Sequence, residues 1–556
     1  MEKTKVKFSS FNFQFSITKK ITSWVRRNRA EAIILAMILL VGAFFRLYRI
    51  DEYMTFLGDE GRDVIVVRRL LVHGDPVLIG PGTSIGNMYL GPLYYYMMAP
   101  ALLLANFSPV GPAVMIALLG VATVFLVWWV GREWFPPHLQ PARRQGRGFA
   151  GQASVAGLVA AGLYAIAPTV IIYSRSSWNP NIMPLFALLC IYSLWRVWSP
   201  FDFKWLIVLG ISYAFVLQSH YLGLLLVPTL GFFWLLTFLK IRQSSIDDRQ
   251  QKFKNFFRFS IYGLLIFSFL MSPLVIFDAR HGWRNFAAAE TFFTQRQTTV
   301  SAKPWNAIPK LWPIVNKVST RLVSASSAEL GKWVSIGIAG ALAWTAIFYR
   351  KRLNTTKRSA YLIIGVWLFF ALIGLGVYKQ EIYDHYFGFF FTAPFILIGG
   401  AVQGIVHSAK NKGGLSKLVT YSLLFVTFII LVFVNLKNNP LKYSPNRQLQ
   451  RTMLIAKKVI EVSGGAPFNF AVIAERNYEG AYLYFMEMWE APAVVPIADK
   501  LDETLKNQLL VVCEVPREKC TPETNKRPEI TNFGWLEKVA DWEYEGVIIL
   551  KYIHPS

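Results

Sequence analysis

Four charged residues stand within five positions in the stretch Leu57-Gly58-Asp59-Glu60-Gly61-Arg62-Asp63. Gly58 and Gly61 permit a tight backbone there, able to turn a carboxylate back toward a membrane face. A carboxylate so placed can accept the proton of an attacking hydroxyl or amine. A neighbouring cation can take up the charge of a departing phosphate. Those are the needs of group transfer from a phosphate-bearing donor, and they make Asp59 and Glu60 the catalytic candidates. One would serve as base, the other would orient the acceptor or a cation. Adjacent side chains point apart unless the turn is sharp, and an ordinary solvated loop would hold the same charges.

Phosphate or substrate partners come from other segments. They are Arg62 itself, Arg175 in YSRSSWNPN, Arg280 and His281 in FDARHGW, and Lys379, Tyr383 and His385 in YKQEIYDHY. Arginine grips phosphate with a fork of donors, whereas Lys379 would act as a point charge. Singly, such residues more often snorkel at an interface; their collection on one side is the signal. Asn179 and Trp178 suit a sugar, although Trp178 also suits simple interfacial anchoring, and His220 sits in a short turn between apolar runs. No HExxH motif or CxxC pair marks a structural metal site. A divalent cation held by Asp59, Glu60 or Asp278 stays open. Neither a P-loop nor a dinucleotide fingerprint occurs, which suits a lipid-linked donor better than a nucleotide.

These residues need elements to position them. Of 556 residues, 54% are hydrophobic and 16% charged, with a mean hydropathy of +0.37. That is too little charge to cover a soluble surface. Repeated apolar runs predict an α-helical polytopic membrane protein of about eleven spans. The net charge of +25 is unevenly placed. From Lys437 onward there are 15 Lys and Arg against 16 Asp and Glu, while the preceding 436 residues hold 43 and 17. Bases concentrated in alternate short loops set orientation. They predict a basic cytoplasmic tail over residues 1–30 and a transmembrane region over 31–436. Its two long extracytoplasmic loops would cover 50–109 and 278–332, and an extracytoplasmic α/β domain would cover 437–556. The plasma membrane is the expected location. Nucleic acid is not an expected partner, since no basic motif with aromatic interleaving occurs; anionic membrane lipids and phosphate-bearing carriers are.

One run, Pro92 to Phe107, is short and carries Pro100. It reads as an interfacial helix with Tyr94, Tyr95 and Tyr96 at the headgroups, because counting it as a span inverts every later loop. In the C-terminal region, FNFAVIAE, AYLYFMEMW, LLVVCEV and EGVIIL have the length of strands, and residues 439–465 read as a helix ending at glycines. Cys513 and Cys520 could form a short disulfide or remain two thiols.

The chain resembles the multi-span, GT-C-type membrane glycosyltransferases, among them protein O-mannosyltransferases and lipid A aminoarabinose transferases. The resemblance rests on Asp59–Glu60 after the first span, Gly-Pro-Leu-Tyr-Tyr at Gly91 to Tyr95, and His385–Tyr386 ahead of Pro394. It implies a GT-C-like fold, a polyprenyl-phosphate sugar donor, and inverting transfer to a lipid, glycan or protein acceptor outside the cytoplasm. It also implies Asp59 as the base. The stretch Tyr89-Leu90-Gly91-Pro92 lacks the lysine and proline pair frequent in the lipid A enzymes. The phosphate role would then fall to Arg62, Arg280 or Lys379. A transporter or flippase of lipid-linked sugars is the rival reading; it expects polar span centres and inverted repeats, of which the sequence shows little.

Overall fold

The structure, a computed structural model, describes residues 22–83, 88–136, 153–294, 299–344, 354–410 and 413–554. Inside a bilayer a backbone must satisfy its own N–H and C=O groups, so apolar runs become helices. The long ones are α1 (Arg29–Leu47), α4 (Val110–Trp134), α6 (Asn179–Trp198), α8 (Tyr221–Arg242), α9 (Ile246–Arg280), α13 (Thr355–Gly376) and α15 (Gly414–Lys437). These seven are long and apolar enough to cross a membrane. A pair bent by 56°, Asp384–Phe390 followed by Ala393–Ala409 (α14), makes an eighth. The chain is a multi-pass membrane protein.

Among the described residues seven or eight helices thus have that length and apolarity, where about eleven spans are expected. The other three positions carry helices described over fewer residues. Helix α5 (Val155–Ile166) stops ahead of Pro168 and α7 (Trp205–Ser219) has 15 residues, while α12 is described over Ala328–Trp344, up to the last described residue before Asn354.

Between α1 and α4 lie two helices that build the site. The first is α2 (Gly58–His73). The second, α3 (Leu93–Leu104), has 12 residues with Pro100 inside it, too few to cross. Its tyrosines correct the headgroup expectation. Tyr94 and Tyr95 are buried and only Tyr96 is exposed. Tyr94 pairs its hydroxyl with Ser177 Oγ at 2.7 Å, and Tyr95 donates to Asp63 Oδ1 at 2.9 Å.

Further along, α10 (Arg284–Thr294) and α11 (Ile308–Val318) precede α12. Helix α16 (Gln448–Val462) ends before Gly464 and Gly465, both at positive φ. A five-stranded sheet follows, in the order β2-β1-β3-β5-β4. Its strands are β1 (Phe468–Ile473), β2 (Ala493–Val494), β3 (Gln508–Cys513), β4 (Glu537–Tyr544) and β5 (Val547–Ile553). The first three pair in parallel, and β5 runs antiparallel to both β3 and β4. Both faces of β1 and β3 are buried, which explains their unbroken apolar sequence. Cys513 and Cys520 are joined as a disulfide.

AYLYFMEMW departs from its strand-like reading: Gly480–Met488 is a helix, α17. Periodicity cannot distinguish the two in so short an apolar run. The run is apolar all round because the helix is sandwiched. Tyr482 meets Phe470 of the sheet at 5.9 Å between ring centroids, and Phe485 meets Phe56 at 5.8 Å. Helix α17 also packs directly on α2. A Cβ on Gly61 would overlap the backbone of Gly480 and Ala481, and one on Gly480 would overlap Gly58 O.

Candidate active site

The local fold of α2 decides where its acids point. Leu57 N donates to Glu60 Oε2 at 3.0 Å, the returning arm of a capping box that occupies an otherwise unpaired helix N-terminal donor. Glu60 is thus folded back on the helix start, 6% exposed. Burial pushes its carboxyl up to about 7. Raised above the unfolded value, this group binds more protons in the folded state between about pH 4.5 and 7. Stability therefore falls as pH rises through that window. Glu60→Gln, which keeps an acceptor for Leu57 N, is expected to remove Glu60's share of that slope. Its advantage over wild type should grow with pH to at most about 3 kcal/mol, read from melting curves in detergent between pH 4 and 8; parallel curves would refute it.

Asp59 is oriented differently and lines a cavity of about 250 Å³. Arg62 lies beside it, also on the cavity wall. Its Nη1 donates to Asp59 Oδ1 at 2.9 Å, while Nε and Nη2 donate to Asp63 Oδ1 at 3.0 and 2.8 Å. Asp63 is wholly buried and leaves Oδ2 without a partner. Burial pushes its carboxyl up to about 6 against the pull of Arg62, and its Oδ1 holds the guanidinium from behind.

The rest of the wall comes from the ends of other helices. Trp178, Asn179, His220, Tyr383 and His385 all line the cavity, together with Tyr221, Tyr386 and the segment Pro81–Thr83. Asn179 Nδ2 donates to Ser219 O at 2.7 Å, which ties the start of α6 to the end of α7. His220 Nδ1 accepts from Leu222 N at 3.2 Å. Burial, with His385 beside it, pushes this ring down to about 3. It is therefore neutral, with its proton on Nε2. The His385 ring centroid lies 4.7 Å from Trp178, 5.7 Å from His220 and 5.9 Å from Tyr383. Arg321 holds the backbone that carries these rings, its Nε donating to both oxygens of Asp384 at 2.9 Å.

Other candidates are placed elsewhere. Arg175 is 2% exposed and donates to the carbonyls of Phe45 and Tyr48, where a cation suits the end of α1. Arg280 and His281 are exposed at the end of α9, and His281 Nδ1 lies 2.8 Å from Phe277 O. Asp278 accepts from Asn285 N and Phe286 N at 2.7 and 3.1 Å, capping α10. Lys379 is exposed, and its backbone N–H donates to Thr299 O. The three acids named as cation ligands are thus engaged separately. Among the described residues no group of three or more His, Cys, Asp or Glu is gathered as for a metal ion.

One contact at the site comes from far along the chain. Tyr478, just before α17, donates its hydroxyl to Asp59 Oδ1 at 2.7 Å. Nothing in the spacing of the sequence links two residues 419 positions apart. The role of Tyr95 also escapes it, since a tyrosine run beside a membrane has an ordinary interfacial explanation.

No family model matches the chain, and no curated protein matches it. Solved structures do. ArnT from Cupriavidus metallidurans bound to undecaprenyl phosphate is 12% identical, covering 95% of this chain and 98% of that one with a TM-score of 0.51. The apo state of ArnT from the same organism is 13% identical, covering 96% and 98% with a TM-score of 0.54. Over nearly its whole length the chain has the ArnT-like GT-C fold that the resemblance of its acidic pair implied.

Proposed function

We propose that this protein transfers a glycosyl group from a polyprenyl-phosphate-linked sugar to a lipid, glycan or protein acceptor on the extracytoplasmic face of the plasma membrane. The observation that carries the reading is the shared cavity of Asp59 and Arg62 with the rings of Trp178, His220, Tyr383 and His385. A base, a fixed guanidinium and ring faces suited to stacking on a sugar are the parts such a transfer needs. In the reaction the acceptor's proton passes to Asp59 as the acceptor attacks the anomeric carbon. The carbon–oxygen bond to phosphate breaks with inversion, and the polyprenyl phosphate leaves with its charge near Arg62. His220 Nε2–H supplies a neutral donor on the same wall. These groups take the part of the lysine that the Tyr89-Leu90-Gly91-Pro92 stretch lacks.

Several observations support the carrier and the sidedness. The ArnT structure that shares the fold holds undecaprenyl phosphate. Basic loops such as KIRQSSIDDRQQKFKNFFR suit the cytoplasmic side. The Cys513–Cys520 disulfide suits an oxidising compartment for the C-terminal region.

The test is purified protein incubated with a panel of polyprenyl-phosphate sugars and candidate acceptors, with product analysis. Product carrying the sugar is expected. Translocation of the carrier with no glycosylated product would replace this reading with the flippase. Because Arg62 already faces Asp59, turnover is expected to survive EDTA; a loss restored by one added divalent ion would put a cation into the reaction.

A further inference from the structure

The C-terminal region does more than sit beside the membrane helices. Its segment Asn477–Tyr478 reaches the start of α2 and touches it at three points. Gly58 N donates to Asn477 Oδ1 at 2.9 Å. The Tyr478 ring lies so close over Gly58 that a Cβ there would overlap it. The Tyr478 hydroxyl donates to Asp59 Oδ1 at 2.7 Å and accepts from Arg62 Nη1 at 3.2 Å. Asn477 is itself fixed, being buried and donating from Nδ2 to Glu514 Oε1 at 2.6 Å. Tyr482 donates to the same Glu514 oxygen at 2.6 Å. The strand end before this segment is held too, by Arg527 donating to the carbonyls of Val472 and Ala474.

Both groups that hold Asp59, the Tyr478 hydroxyl and the Arg62 guanidinium, bond to the same oxygen, Oδ1. Among the described residues no protein group bonds Oδ2. On the transfer reading above, we infer that Tyr478 is a positioning residue. It clamps Oδ1 so that Oδ2 is the oxygen offered to the acceptor's proton, and the active site is complete only with the C-terminal region docked. A carboxylate on a short side chain can rotate about its Cα–Cβ and Cβ–Cγ bonds. Two donors converging on one oxygen from different elements remove that freedom, which is how a positioned base gains over a free one.

The experiment uses the full chain and the donor panel. Tyr478→Phe keeps the ring over Gly58 and deletes only the hydroxyl. It is expected to lower kcat about 10- to 100-fold, the loss that misplacing a reacting group brings, with the donor KM and the melting temperature nearly unchanged. Combined with Asp59→Asn it should add no further loss, because the two act as one unit. Wild-type kcat in Tyr478→Phe, or a raised KM with kcat intact, overturns the inference. So does an equal fall in kcat when the change is made in the Asp59→Asn background. Each of those results leaves the transfer reading standing. A wild type that forms no product from any donor overturns the transfer reading itself, and the inference with it.

Discussion

Asp59→Asn is expected to lower glycosyl transfer by about 10²- to 10⁴-fold, the usual range for losing a general base, while the protein still inserts and folds. The substitution changes charge and little else. Asparagine keeps an Oδ1 able to accept from Tyr478 and from Arg62 Nη1. Asp59 is also 42% exposed, so no buried ion is stranded. Arg62 keeps its other partner, the buried Asp63. The melting temperature and detergent elution profile should therefore match wild type, while kcat and kcat/KM fall together. Glu60→Gln is the contrasting neighbour. It removes a buried titrating group, keeps the helix cap and leaves transfer near wild type, since Glu60 does not line the cavity. Full transfer by Asp59→Asn would remove Asp59 from the chemistry and with it the proposed mechanism.

That contrast between neighbours marks how far the sequence could be read. Composition and spacing made the membrane class and the acid-rich start of α2 legible, because hydropathy and charge are local properties. The resemblance carried by Asp59–Glu60 pointed to the fold that the ArnT structures share. Which acid faces the cavity is not legible in the spacing itself, since it turns on one hydrogen bond from Leu57 N to Glu60; only the resemblance pointed to Asp59. Nor could the fate of the arginines be read. Arg62 and Arg175 have the same chemistry, yet one meets carboxylates at the cavity and the other caps α1. His220 reads in the sequence as a turn residue and lies on the cavity wall beside His385. Long-range placement decides each of these positions. The tyrosines Tyr95 and Tyr478 belong to the site only because α3 and the segment before α17 fold against α2. Helix length is read no better, since a short apolar helix can be sheltered by its neighbours, as the buried face of α5 shows.

The docking of α17 on α2 yields the second large effect, at Gly61. Helices normally keep their axes apart by the thickness of their side chains. Here Gly58, Gly61 and Gly480 remove those side chains, and backbone meets backbone. A methyl group on Gly61 has no flexible neighbour to push aside; it meets the main chain of Gly480 and Ala481. Gly61→Ala must therefore separate the two helices, at a cost of about 1–3 kcal/mol or more, although alanine is the better helix former. The same displacement draws Tyr478 away from Asp59 and Asn477 away from Gly58. Gly61→Ala is thus expected to lower the melting temperature and kcat together, whereas Tyr478→Phe lowers kcat alone. Gly337→Ala in α12 is the control, since a Cβ there meets nothing within 4 Å; it should leave both quantities at wild type or slightly raise stability. Hydrogen exchange at the amides of residues 58–61 checks the cause, with faster exchange expected in Gly61→Ala. Wild-type melting and turnover in that variant would mean that the two helices separate without consequence, and the C-terminal region would then be a neighbour of the site rather than one of its walls.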